Sequence, residues 1–225
     1  MIMKHIPNFI TTLNLFSGCM AIYHGFNGNY ELVTLFIVIA AIFDFADGLA
    51  ARLLNAYSPM GKELDSLADV VSFGVAPGVL AMSLLTESAM PQWVSFAGFI
   101  IPVFSALRLA KFNVDERQTS SFIGLPTPAN ALFWVGMAFS YTDLLINNPL
   151  ITLVLIGVFS AFLVSEVPMF ALKFKNLSVK NNISQYLFLM VCIALLVFFK
   201  MKAIPLIIAW YILQSAVIAI VSKRK

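Results

Sequence analysis

Apolar residues run along this chain in long blocks, at about 7 to 25, 30 to 54, 61 to 85, 92 to 113, 128 to 145, 149 to 170, 183 to 199 and 203 to 221. A helix of roughly 17 to 25 apolar residues crosses the hydrocarbon of a bilayer. The pattern therefore predicts an all-α fold, a polytopic membrane bundle of about eight transmembrane helices. Only Lys200 and Lys202, with one residue between them, separate the last two runs. If that pair is re-entrant, the count falls to six. No repeat, low-complexity stretch or linker interrupts the chain, so residues 1–225 are expected to form a single integral membrane domain.

Basic residues give the orientation, because loops on the cytoplasmic side carry an excess of Lys and Arg. With the N-terminus in the cytoplasm, Lys4, Arg52, Lys62, Arg108, Lys111, Arg117, Lys173, Lys175, Lys180, Lys223, Arg224 and Lys225 fall on that side, and Lys200 and Lys202 fall opposite. The other set of turns holds Asn27, Asn29, Glu31, Glu87, Asp143, Asn147 and Asn148. An even number of spans puts both termini in the cytoplasm, and the expected location is the cytoplasmic membrane.

Composition agrees with the hydropathy pattern. The chain is 60% hydrophobic, with 21 Phe and a mean hydropathy of +0.92. Only 11% of it is charged, against about 25% in soluble domains. The net charge of +3 is spread over several loops facing anionic lipid, so no nucleic-acid partner is expected. The first apolar run has no convincing small-residue cleavage site behind it and is expected to be retained. Cys19 and Cys192 are far apart and inside predicted helices, which suits packing residues and neither a disulfide framework nor a metal site. His5 and His24 are single residues near helix ends, where interfacial placement explains them.

Four aspartates stand out against this apolar background: Asp44-x-x-Asp47-Gly48-x-x-Ala51-Arg52, then eight residues, then Gly61-x3-Asp65-x3-Asp69. A carboxylate at a helix centre costs about 2.5 to 3.5 kcal/mol on insertion scales, so four together need a positive partner. Residues three or four apart share a helix face, so Asp44 pairs with Asp47 and Asp65 with Asp69. Ser58-Pro59 marks the turn between the two segments, which predicts an antiparallel helical hairpin. Asp47 and Asp69 are each about eleven residues from that turn, or roughly 15 Å at 1.5 Å per residue, and so lie at matching depth on the side of the basic loops. Oxygen ligands without His or Cys suit Mg²⁺ or Mn²⁺, Ca²⁺ less specifically, and two ions are plausible. Gly48 and Gly61 leave room where a Cβ could obstruct a nucleotide, although helix packing explains them almost as well; Gly74 and Gly78 around Pro77 suit close packing and a kink. Intramembrane aspartates also serve in proton relays and cation pathways. Arg52, one turn beyond Gly48, favours phosphate chemistry instead, because it places a guanidinium beside the carboxylates.

The pattern from Asp44 to Asp69 resembles the signature of the CDP-alcohol phosphotransferases, with every fixed position present. The flanking stretches Lys62-Glu63-Leu64-Asp65-Ser66-Leu67-Ala68-Asp69-Val70-Val71-Ser72-Phe73-Gly74-Val75-Ala76-Pro77, Ser105 to Asn113 and Phe122-Ile123-Gly124-Leu125-Pro126 are similar to the serine-using branch of that family. Ile6-Pro7-Asn8, Thr12 and Asn14 are similar as well. The resemblance covers the N-terminal 130 residues.

It implies a six-helix family core with two further helices, and transfer of a phosphatidyl group from CDP-diacylglycerol to L-serine, releasing CMP. By the same resemblance Asp44, Asp47, Asp65 and Asp69 hold two metal ions and Asp69 also serves as general base. Gly48, Arg52, Ser58 and Asn8 contact the cytidine diphosphate, and the family is typically homodimeric. The partners are membrane lipid, CDP-diacylglycerol and serine. The serine carboxylate wants a cation, for which Arg108 and Lys111 are the candidates by position, with interfacial snorkelling the other explanation for both. Asn113 and Glu166 are further candidates near the acceptor. The alternatives are the same chemistry with glycerol 3-phosphate or an inositol phosphate as acceptor, or a cation transporter whose aspartates hold the transported ion.

Overall fold

A computed structural model describes residues 5–115, 122–170 and 182–223. Of the basic residues behind the expected orientation, Lys4, Arg117, Lys173, Lys175, Lys180, Arg224 and Lys225 lie outside them. The described chain is helical apart from two short strands. Helix α1 (Ile6–Phe26) has Pro7 in its first turn, where a missing N–H costs nothing. A turn through Gly28, at φ +67°, leads to α2 (Tyr30–Leu53), and the Asn29 side chain caps α2 by accepting from the Leu32 N–H at 3.2 Å. Ser58 caps α3 (Pro59–Asp69) in the same way, accepting from the Gly61 N–H at 3.0 Å.

Directly after Asp69 the helix widens into a π-helical stretch, Val70–Val75, before continuing as α4 (Ala76–Thr86). Pro77 has no N–H to give to the turn before it, which accounts for the change of pitch. A 3₁₀ segment, Gln92–Phe99, runs into α5 (Ile100–Val114). Helices α6 (Thr127–Asn147), α7 (Pro149–Val164), α8 (Ile183–Phe199) and α9 (Ala203–Lys223) follow. Strands β1 (Phe122–Ile123) and β2 (Pro168–Met169) pair antiparallel, Phe122 opposite Met169.

Residues sort as in a membrane protein. Phe16, Phe45, Val154 and Phe198 point outward, whereas Asn14, Ser105, Thr127 and Asn130 are fully buried with Ile37, Phe73, Leu80 and Trp134. Five helical stretches of the described residues are long and apolar enough to cross a bilayer: Tyr30–Leu53, Pro59–Thr86, Gln92–Val114, Thr127–Asn147 and Ile183–Val221. The protein is thus a multi-pass membrane protein of the expected helical class, but length and apolarity do not return eight spans. Helix α1 is diluted by Asn8, Thr11, Thr12, Asn14 and Ser17. Helix α7 is shorter than its apolar run, because the chain leaves it at Ser165 to form β2. The last apolar stretch is broken at Lys200, which takes φ +50°, and by the 3₁₀ turn Lys200–Lys202. Gln214 Nε2 donates to the Ser184 carbonyl at 2.8 Å, so α8 and α9 run back along each other as a hairpin.

Two other expectations change. Helices α2 and α3 do not pack closely on each other; α1 packs against both and the aspartates face the space left between them. The space between the two helices leaves room for a counter-charge among the carboxylates, which would otherwise repel one another. Cys192 is buried as expected, but Cys19 faces outward from α1.

Candidate active site

The aspartates come together as the helical spacing requires. One carboxylate oxygen from each of Asp44, Asp47 and Asp65 lies within 4.8 Å of the other two. Asp69 stands beside Asp44 and Asp65, is only 7% exposed, and has its Oδ1 buried without a hydrogen-bond partner. None of the four makes an ion pair with a described lysine or arginine. Among the described residues, the hydroxyl that reaches them is on Thr11, whose Oγ1 lies 2.5 Å from Asp47 Oδ2 and 3.0 Å from the Pro7 carbonyl. With a single proton, it serves one acceptor at a time.

Two cavities meet at this cluster. The first, about 540 Å³, lies among α1, α2 and the start of α3 and is lined by Asn8, Thr11, Asp47, Gly48, Ala51, Tyr57, Ser58, Gly61, Lys62 and Asp65. The second, about 460 Å³, is lined by Asp44, Asp47, Gly48, Arg52, Lys62, Asp65, Ser66, Asp69, Arg108, Phe112, Asn113 and Phe122. Asp47, Gly48, Lys62 and Asp65 form the wall they share, whereas Asp69 lines only the second.

Glycines shape both spaces. A Cβ on Gly61 would stand 2.9 Å from Asn8 Oδ1 and 3.1 Å from Ser58 Oγ, so this position holds α3 against the end of α1. At Gly48 a Cβ would meet nothing closer than Arg52 Nη2 at 3.8 Å, and so would protrude into the cavities. Arg52 therefore lies back over Gly48 on the side of the second cavity, away from Asn8 and Ser58, although all four were expected at one nucleotide.

Arg108 is 6% exposed, with its guanidinium carbon 5.0 Å from the Phe112 ring centroid and 5.8 Å from that of Phe122. It interacts electrostatically with Asp69, and its Nε has no hydrogen-bond partner. Lys111, the other cation considered for the serine carboxylate, lines neither cavity and pairs with Glu166 after α7. That pair also places Glu166, considered as an ammonium ligand, beside a lysine. Asn113 lines the second cavity; its Nδ2 donates to Ser66 Oγ at 2.9 Å and its carbonyl accepts from Lys62 Nζ at 3.2 Å.

The sequence reading missed Thr11, Lys62, Phe112 and Phe122 as cavity residues. Thr11 had a signal, since Asn8, Thr11 and Asn14 follow a three-residue spacing on one face of α1; Thr12, noted instead, is outside the cavities and bonded to the Phe9 carbonyl. Phe122 opens one of the stretches that carry the family resemblance, but its contact with Arg108 arises only through tertiary folding.

Comparison with known sequences now bears on the arrangement. The sequence model of the CDP-alcohol phosphatidyltransferases matches residues 4–170, and the chain belongs to that family. Three curated proteins called CDP-diacylglycerol–serine O-phosphatidyltransferase are similar to it. The one from Bacillus subtilis is 40% identical over 144 residues, 64% of this chain and 81% of its own length. The one from Methanocaldococcus jannaschii is 38% identical over 149 residues, 66% and 68%. The one from Helicobacter pylori strain 26695 is 28% identical over 217 residues, 94% and 89%, and so extends through α8 into α9.

Proposed function

We propose that this protein transfers the phosphatidyl group of CDP-diacylglycerol to the hydroxyl of L-serine, giving phosphatidylserine and CMP, within a single domain spanning residues 1–225. The observation that carries the reading is the shared wall: one aspartate cluster borders two cavities, as a reaction between two substrates requires. The names of the relatives support serine as the acceptor.

The cytidine diphosphate occupies the first cavity, against Asn8, Gly48 and Ser58, with Arg52 reaching its phosphates from beyond Gly48. Serine occupies the second, its carboxylate on Arg108, whose buried Nε has hydrogen-bonding capacity to spare. Asp69 lines that cavity alone and its Oδ1 is free to accept a proton. The serine hydroxyl oxygen attacks the phosphatidyl phosphorus while Asp69 takes its proton. The bond from phosphorus to the CMP oxygen breaks and CMP leaves with the electron pair.

An all-oxygen donor set with three carboxylate oxygens inside 4.8 Å and a buried, unpartnered oxygen on the fourth carboxylate fits divalent metal, which this family generally requires. Asp44, Asp47, Asp65 and Asp69 are the residues that would hold two Mg²⁺ or Mn²⁺ ions. When bound, such ions neutralise the diphosphate and stabilise charge on the leaving oxygen. The protein's own residues orient the reactants: Thr11 fixes Asp47, and Phe112 and Phe122 hold the Arg108 plane.

The reading places the protein in the cytoplasmic membrane as a homodimer, with the site facing the cytoplasm, where serine arrives from water and the lipid's acyl chains stay in hydrocarbon. The test is an acceptor panel with purified protein in detergent, CDP-diacylglycerol and Mn²⁺. CMP release is expected with serine and not with glycerol 3-phosphate, an inositol phosphate or no acceptor. Release with a different acceptor would discard serine and keep the aspartates, whereas no release with any acceptor would overturn the reading.

A further inference from the structure

The match to the family ends at Phe170, yet the chain continues into the α8–α9 hairpin, and α9 packs against β2. Tyr211, on α9, is 9% exposed. Its hydroxyl donates to the Phe170 carbonyl at 3.2 Å, and its ring packs on Phe170 and Phe188 with centroids 5.3 and 5.9 Å away. Phe170 directly follows β2, where Met169 pairs with Phe122 of β1. Phe122 in turn lies under the Arg108 guanidinium, its ring centroid 5.8 Å from the guanidinium carbon. Ser215, one turn beyond Tyr211 and fully buried, accepts from the Phe170 N–H at 3.4 Å, so α9 grips the Phe170 backbone at both its N–H and its carbonyl.

We propose that Tyr211 is a positioning residue for the acceptor: through the Phe170 carbonyl and the β2–β1 pair it holds Phe122, and so Arg108, at the angle that receives the serine carboxylate. The α8–α9 hairpin is thereby part of acceptor recognition, not only a membrane anchor. The inference rests on the reading of Arg108 as the carboxylate partner.

A guanidinium resting on ring faces has a plane set by those rings, and carboxylate recognition depends on that plane. Loosening β2 tilts Phe122 and misaligns Arg108 while leaving the lining of the first cavity in place. Removing the Tyr211 hydroxyl keeps the ring packing and deletes one hydrogen bond, an effect of about three- to ten-fold where it is felt.

The experiment is steady-state kinetics of Tyr211→Phe in the full chain, with Phe122→Leu as a second variant at the other end of the contact chain. The KM for serine should rise about three- to ten-fold in each, with kcat and the KM for CDP-diacylglycerol near wild type. Ethanolamine, which lacks the carboxylate, gives the second readout: preference for serine over it should fall by the same factor. A lower melting temperature with an unchanged KM for serine in both variants would reduce Tyr211 to a packing residue and overturn the proposal. Arg108→Lys separates the two levels. If it raises the KM for serine while Tyr211→Phe and Phe122→Leu do not, only the positioning role falls; if none of the three does, the assignment of Arg108 falls and the proposal with it.

Discussion

At the scale of residues, the site is a set of polar side chains that the bilayer interior makes expensive and that cluster because they share a task. Asp44, Asp47, Asp65 and Asp69 were legible in the sequence for that reason: charge in an apolar run has few structural explanations. Their division of labour, with Asp69 as base, came from the family resemblance and not from the spacing alone. Three carboxylates converge to within 4.8 Å, while Asp69, beside Asp44 and Asp65, has a buried, unpartnered oxygen and lines the same cavity as Arg108. Replacing that oxygen in Asp69→Asn should lower turnover by about 10²- to 10⁴-fold, the usual worth of a general base, with a smaller loss of affinity for CDP-diacylglycerol. Single-turnover CMP release alongside lipid-nucleotide binding checks both quantities; wild-type turnover would move the base elsewhere. Thr11 and Phe122 belong to the site as much as Arg52 does, but a threonine among other polar residues and a phenylalanine among 21 carry little signal by themselves.

At the scale of elements, glycine and proline decide how close the helices come. Helix α4 and the 3₁₀ segment before α5 touch backbone to backbone at Gly78 and Gly98, where a Cβ on Gly98 would stand 2.6 Å from the Gly78 carbonyl oxygen and 2.7 Å from the Met82 nitrogen. Main-chain atoms cannot swing aside, so Gly98→Ala should cost about 1–3 kcal/mol and lower the thermal unfolding midpoint in detergent. Gly157→Ala is the control, since nothing lies within 4 Å of its added methyl, and it should leave the midpoint nearly unchanged. Equal effects from the two would show that helix propensity, not packing, governs these positions. The Gly74-Pro77-Gly78 text predicted close packing and a kink, and the π-helical stretch Val70–Val75 with the Gly78–Gly98 contact is the form they take. What hydropathy missed is where an apolar run stops being helix: residues 165–170 read as the end of a span, but Pro168 and Met169 leave it to pair with β1.

At the scale of the whole molecule, the bundle solves a problem of phase. One reactant is a lipid and the other a water-soluble zwitterion, and the protein offers two cavities that share a carboxylate wall near the end of the bundle where α1 and α3 begin and α2 ends. The helical class and the aspartate motif could be read from the sequence, because both depend on residues close together in the chain. The contact from α9 through β2 and β1 to Arg108 could not, because it joins residues some hundred positions apart. The account stands or falls on the shared wall being a metal-dependent reaction centre for both substrates. The most direct test is to measure CMP and phosphatidylserine together, from CDP-diacylglycerol and serine, with the protein stripped of divalent metal and then resupplied. The two products should appear in equal amounts with Mg²⁺ or Mn²⁺, vanish on stripping and return on resupply. Undiminished phosphatidylserine formation by the stripped protein, or CMP without phosphatidylserine, would contradict it.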